Sequence, residues 1–173
     1  MEYLEGTLLE QLLRHESRIP EEEAIQLLMN VMESLQHVHQ ANIIHREICP
    51  SNLFMCNDGV VKLIDFAASR DTQVVFTRSL SVTVRSGYSP EEQYRGQNNL
   101  GPAADIYSLA ATLYRMITGV KPPDAMERLL AVEAEKKDPL IRPKKLVPTL
   151  SSVTENALLS ALSLKSAPGH HRL

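Results

Sequence analysis

Behind Pro20 and the acidic run Glu21-Glu22-Glu23, apolar residues recur at helical spacing through Ala24, Leu27, Leu28, Val31, Leu35 and Val38. Proline suits the first helical position, and acidic side chains suit the end where helix amides point outward. The spacing puts every apolar side chain on one face, which predicts a long amphipathic helix ending near Asn42. A helix with a single apolar stripe must bury it against other elements of the fold.

The rest of the chain supplies them. Leu8, Leu9, Leu12 and Leu13 form a stripe predicting a short helix after a turn at Gly6-Thr7. From Ile43 to Phe66 the pattern changes. Asn57-Asp58-Gly59 separates Leu53-Phe54-Met55 from Val60-Val61-Lys62-Leu63, the signature of a small hairpin. Residues 67–100 are polar, poorly periodic and rich in Ser, Thr, Arg and Gly, and a long irregular segment in a domain core region is more often functional than connective. Regular structure is expected to return at Asp105, where Ile106, Leu109, Ala110, Leu113 and Ile117 line a helix stopped by Gly119 and Pro122-Pro123. Further helices are expected over 125–135 and 155–164, joined by a basic, Pro-containing connector over 136–148. The fold class is mainly α-helical with one small β-hairpin.

Composition narrows the function. Eighteen basic and 21 acidic residues leave a net charge of -3, which gives no electrostatic reason to bind nucleic acid. Cys49 and Cys56 are the only cysteines, so no disulfide framework is implied and a reducing, cytoplasmic setting is expected. No apolar run is long enough to span a membrane.

His45-Arg46-Glu47 and Asn52 lie in the loop between the long helix and the hairpin, and Asp65-Phe66 follows the hairpin. Two carboxylates and an amide oxygen, on loops beside one hairpin, have the chemistry to ligate a divalent cation and position phosphates. Taken singly, Asn52 reads equally as a turn or cap residue and Asp65 as an ordinary loop residue. The combination is more specific. His45-Arg46-Glu47-Ile48-Cys49-Pro50-Ser51-Asn52 resembles the protein-kinase catalytic loop H-R-D-x-x-x-x-N, and Val61-Lys62-Leu63-Ile64-Asp65-Phe66-Ala67 resembles the strand entering D-F-G. Gly87-Tyr88-Ser89-Pro90-Glu91-Glu92-Gln93-Tyr94 is similar to the end of the activation segment of bacterial serine/threonine kinases. Asp105-Ile106-Tyr107-Ser108-Leu109 resembles the family's central buried helix, and Met1-Glu2-Tyr3-Leu4-Glu5-Gly6 its hinge.

The resemblance implies a kinase C-terminal lobe over 1–173, with hinge 1–6, catalytic loop 45–52 and activation segment 65–92. It implies catalytic roles for Glu47, Asn52 and Asp65, with Asn52 and Asp65 holding Mg2+ against ATP phosphates. Adenine would meet the hinge backbone at Glu2, Tyr3, Leu4 and Glu5. Arg46 would pair with a phosphorylated activation segment, for which Thr77, Ser79, Ser81 and Thr83 are candidates. Asp105 would accept hydrogen bonds from the catalytic-loop backbone, and His45 would tie the loop to neighbouring backbone. Glu92 matches the glutamate of A-P-E.

The chain also departs from the pattern. Glu47 stands where the family has aspartate, about one methylene further from the backbone, and a misplacement of roughly 1 Å can cost about a hundredfold in rate. Ala67 replaces the glycine of D-F-G, and Cys49 replaces a lysine that contacts the transferring phosphate. No arginine is in register to pair with Glu92, which is therefore expected to be unpaired or solvent-exposed; Arg172 lies beyond a helix-breaking Pro168-Gly169. No Gly-x-Gly-x-x-Gly occurs in these residues, and Lys62 does not substitute for the phosphate-contacting lysine of the N-lobe. The expectation is an N-lobe-less, poorly active or inactive chain, with ATP and Mg2+ as cofactors if nucleotide binding is retained and none otherwise. The alternatives are an active half completed by an N-lobe-bearing polypeptide and a non-catalytic module that binds protein partners. Residues around Met1 to Leu4 are then expected to be solvated or partnered.

Overall fold

A computed structural model describes residues 4–66, 70–71, 84–96 and 100–164. The order of elements is β1 (Gly6–Leu8), α1 (Leu9–His15), α2 (Glu21–Gln40), β2 (Ile43–Ile44), a 3-10 turn at Pro50–Asn52, β3 (Leu53–Cys56), β4 (Val61–Leu63) and β5 (Arg70–Asp71). It continues with α3 (Glu91–Tyr94), α4 (Pro102–Thr118), α5 (Ala125–Glu133), α6 (Pro143–Leu146) and α7 (Ser152–Ala161). The mainly helical reading with one hairpin holds.

Helix α4 is the centre. Twelve of its 17 residues are buried, and its exposed residues are Pro102, Ala103 and Ile106 near its start; Ile106, expected on the apolar lining, is 51% exposed. Leu109, Met116 and Ile117 join Leu28, Val31 and Leu35 of α2 and Leu9 and Leu13 of α1 in one apolar cluster. Its other side, Tyr107, Ala110, Ala111 and Tyr114, packs with Ala125, Leu158 and Leu162. The alanines let α7 approach closely.

Helix α4 begins at Pro102, three residues before the expected Asp105, because Pro102 occupies the first helical turn where its missing N–H costs nothing. It stops at Gly119, whose φ of 75° is left-handed and whose absent Cβ leaves room for the Ser17 carbonyl; an added Cβ would lie 2.5 Å from that oxygen. The α1–α2 connection is bound to this end by the Ile19 N–H, which donates to the Met116 carbonyl at 2.7 Å.

The expected hairpin is present as β3–β4, with Met55 opposite Val61. A third strand, β1, pairs antiparallel with β3 with Thr7 opposite Met55, so Gly6-Thr7 is strand and not turn. Glycine is required at position 6, since a Cβ would sit 2.0 Å from the Met55 carbonyl oxygen. A second ribbon joins β2 to β5. The connector 136–148 contains the one-turn helix α6, which is too short to show periodicity.

Candidate functional site

The loop after β2 is built around one buried carboxylate. Asp105, 0% exposed on the first turn of α4, accepts the His45 N–H on Oδ2 at 2.9 Å and the Arg46 N–H on Oδ1 at 2.8 Å. Its Oδ2 also accepts from His39 Nε2 at 2.8 Å, which ties the end of α2 to the same point. A carboxylate is needed because all its partners are donors; three such bonds satisfy it without water.

Arg46 adopts φ 72°, an uncommon conformation for a residue with a Cβ. Both its peptide groups are fixed: Asp105 takes the N–H, and the carbonyl accepts from Gln93 Nε2 at 2.9 Å. Backbone strain of this kind persists where surroundings over-determine it. Asp65 carries the same feature at φ 63°, immediately after Ile64, whose N–H donates to the Asn52 carbonyl at 3.0 Å.

His45 is fully buried and connects the two loops. Its Nδ1 accepts the Glu47 N–H at 3.3 Å, so the ring proton resides on Nε2 and donates to the Ile64 carbonyl at 3.2 Å. The imidazole edge meets Phe66 at 4.6 Å between centroids. Burial holds its pKa below the usual histidine range, with the charges of Asp105, Glu47 and Asp65 opposing.

Asn52 is buried, and its Nδ2 donates to the Glu47 carbonyl at 2.8 Å, which leaves Oδ1 as its remaining polar atom. Asp65 is exposed, beside the 43%-exposed Phe66. An amide oxygen and a carboxylate are the hard donors that Mg2+ takes. No cluster of three or more His, Cys, Asp or Glu residues suited to a metal occurs among the described residues, so a cation here would draw its other ligands from phosphate and water.

Glu47 is only 7% exposed, and its Oε2 accepts from Arg85 Nη2 at 3.1 Å. Sequence reasoning does not single out Arg85, Gln93 or His39, although the first two fall in or beside the Gly87–Tyr94 motif. Cys49 is buried with its Sγ 3.1 Å from Ser51 Oγ. Glu92 corrects an expectation: at 8% exposed it is buried and partnered, because α3 folds into the protein with Glu91, Glu92 and Gln93 all inside. Of the hinge positions, Leu4 is half-buried and Glu5 exposed, with the Glu5 carbonyl accepting the Asn57 N–H at 3.0 Å. Glu2, Tyr3, Ala67, the segment with Thr77, Ser79, Ser81 and Thr83, and Arg172 lie outside the described residues.

Among the described residues, no helix is long and apolar enough to cross a membrane. The protein kinase domain family matches residues 1–163. A probable serine/threonine-protein kinase of Streptomyces coelicolor is 28% identical over 92% of this chain and 24% of its own length. The probable serine/threonine-protein kinase PknB of Bifidobacterium longum is 29% identical over 94% of this chain and 24% of its own. The tyrosine-protein kinase MasK of Myxococcus xanthus is 32% identical over 95% and 27%. The chain thus spans about a quarter of the length of these relatives. A solved structure, the apo form of PpkA-294, superposes with a TM-score of 0.75 at 26% identity, covering 95% of this chain and 56% of that one. With the Asp105-anchored loop, the hairpin and the central helix in place, this chain belongs to the protein kinase domain family and is of the bacterial serine/threonine type.

Proposed function

We propose that these 173 residues are the C-terminal lobe of an ATP-dependent serine/threonine phosphotransferase and that, by themselves, they transfer phosphate very poorly or not at all. Asn52 Oδ1 and Asp65 would hold Mg2+, which when bound neutralises ATP phosphate charge. Glu47 occupies the position that accepts the proton of the substrate hydroxyl. The hinge backbone from Glu2 to Glu5 would meet adenine, and Arg46 would answer a phosphorylated activation segment. The observation that supports the reading is the tying of the two loops: Asp105 accepts the His45 and Arg46 N–H groups, His45 Nε2 donates to the Ile64 carbonyl next to Asp65, and Asn52 Nδ2 donates to the Glu47 carbonyl.

Impairment follows from charge and reach. The residues present grip phosphate from one side, with no glycine-rich loop or second-lobe lysine to neutralise the other. Position 49, a cysteine, adds no cation. Electrostatic stabilisation is the largest ordinary source of catalysis in phosphoryl transfer, so its loss outweighs a well-formed loop.

The test is phosphate transfer from Mg-ATP to a generic protein substrate by the purified 173-residue chain. The expected result is background. Joining a kinase N-lobe ahead of Met1 is expected to raise transfer, and Glu47→Asp in that fusion to raise it further. Turnover of the isolated chain in the usual range of about 1–100 per second for kinases would overturn the reading.

A further inference from the structure

We infer that Arg85 is a built-in clamp on Glu47: a rigid turn delivers its guanidinium to the carboxylate, so that Glu47 ties segment 84–93 to the catalytic loop instead of standing open to a substrate hydroxyl. The inference rests on the reading of Glu47 as the proton-accepting position given above.

The turn is fixed before it reaches Glu47. The Arg85 carbonyl accepts the N–H groups of both Tyr88 and Ser89, at 2.8 and 2.9 Å, and the Arg85 N–H donates to Ser89 Oγ at 2.9 Å. Ser89 is itself buried. Gly87, at φ 83°, lies so close to the Pro122 carbonyl that a Cβ would sit 2.6 Å from it, which moulds the turn onto the α4–α5 connection. Arg85 is therefore aimed by its backbone, not by chance of a long side chain.

Glu47 is held at three of its polar groups. Its N–H donates to His45 Nδ1, its carbonyl accepts from Asn52 Nδ2, and its Oε2 accepts from Arg85. The carboxylate is nearly buried whereas Arg85 is 42% exposed on its side chain, so solvent reaches the guanidinium side of the pair. A charge-assisted hydrogen bond to a buried carboxylate is among the stronger ones, and a substrate hydroxyl would have to displace it. The longer glutamate matters here in a different way from its effect on catalytic distance. Its extra methylene gives the reach to Arg85, and an aspartate at 47 would fall short by about one bond. The same departure from the family pattern that distances the carboxylate from a hydroxyl thereby gives it a partner within the chain. Cys49 contributes no positive charge, and Arg85 places one on this carboxylate.

The clamp is tested on the full 173-residue chain with a water-soluble carbodiimide and a small amine, reading modification of each carboxylate by peptide mass spectrometry. Exposed Asp58 serves as the internal reference. Arg85→Met is expected to speed modification of Glu47 about fivefold relative to Asp58, the order of effect that follows from losing one charge-assisted hydrogen bond. Arg85→Lys, which keeps the charge, is expected to stay near the wild-type rate. Equal Glu47 rates in wild type and Arg85→Met, with Asp105 still protected, would overturn the clamp, since burial alone then explains the slow reaction. If Arg85→Met unfolds, Asp105 accelerates too, and Glu47→Gln decides. Faster amide exchange across 84–93 supports the tie, and unchanged exchange there overturns it. Ordinary phosphate transfer by the wild-type chain would instead remove the underlying functional reading without altering the labelling ratio.

Discussion

The Asp105 carboxylate accepts the backbone N–H of His45 at 2.9 Å across 60 residues of sequence. That bond, with the one to Arg46, makes the backbone of the 45–52 loop an extension of the central helix. Replacing Asp105 by asparagine turns one acceptor into a donor facing a donor, in a site without solvent. Asp105→Asn is expected to lower the unfolding free energy by about 2–4 kcal/mol, measured by urea denaturation. A cost below half a kcal/mol would mean that the loop holds its shape unaided.

A second buried hub lies under α5. The Arg128 guanidinium forks onto Asp138 at 3.0 and 2.8 Å and also donates to the Tyr107 hydroxyl and the Leu162 carbonyl. Arg128→Met removes every bond and strands Asp138, for an expected loss of about 3–5 kcal/mol by denaturation. Burial raises the Asp138 pKa, but hydrogen bonds from Arg128 and Leu140 outweigh it and hold the carboxyl below its usual range. A lowered carboxylate pKa contributes stability above the unfolded value of about 3.9 and loses it as pH falls through the folded value. The Arg128→Met variant is expected to show a shallower loss of stability below about pH 4 than the wild type.

Which of these contacts the sequence discloses depends on whether they follow from spacing. The motif pattern brings Asp105 and the His45–Asn52 loop into one site, and periodicity marks α2, α4 and the β3–β4 hairpin. Strand β1 escapes because three residues show no period and Gly6 reads as a turn, while its partner Met55 is far along the chain. Helix α6 escapes for the same reason of length. Glu92 reads as unpaired or solvent-exposed because no arginine falls in register with it, but α3 packs inward and takes Glu91, Glu92 and Gln93 inside together. Arg85 lies in a polar segment without periodicity, and only the turn closed by Ser89 and Gly87 reveals where it points.

Histidine 45 supplies a pH dependence of its own. Its pKa is held down by burial, so the unfolded chain binds a proton that the folded chain refuses. The sign follows directly: stability is full above the unfolded pKa of about 6.5 and falls as pH drops through the folded value. His45→Gln removes the titration. The difference in unfolding free energy between wild type and His45→Gln is expected to shrink from pH 7.5 to pH 5, and a constant difference would exclude His45 as the source.

Gly119 and Gly59 make a matched pair for separating backbone strain from steric conflict. Both have positive φ, at 75° and 83°, but a Cβ at Gly119 meets the Ser17 carbonyl whereas one at Gly59 meets nothing within 4 Å. Gly59→Ala is expected to cost about 1 kcal/mol from conformation alone, and Gly119→Ala about 2–4 kcal/mol from conformation plus the clash. Equal costs by thermal denaturation would show that the α1–α2 connection yields to the added methyl.

Nucleotide binding separates a weakened phosphotransferase from a protein-binding module. If Asn52 and Asp65 hold Mg2+ against phosphate, then Mg-ATP binds the folded chain alone and must raise its apparent stability. A concentration of about twice Kd adds roughly 0.6 kcal/mol, a shift of about 1–2 °C for a chain of this size. Asp65→Asn keeps the shape of the side chain while removing the charge that attracts the cation, so it is expected to abolish the shift. Omitting Mg2+ from the wild type should do the same. A shift that persists in Asp65→Asn or without the metal would place the nucleotide away from these two oxygens. No shift at any attainable concentration, in a chain that still unfolds cooperatively, would leave Asn52 and Asp65 without a phosphate ligand and favour docking of protein partners instead.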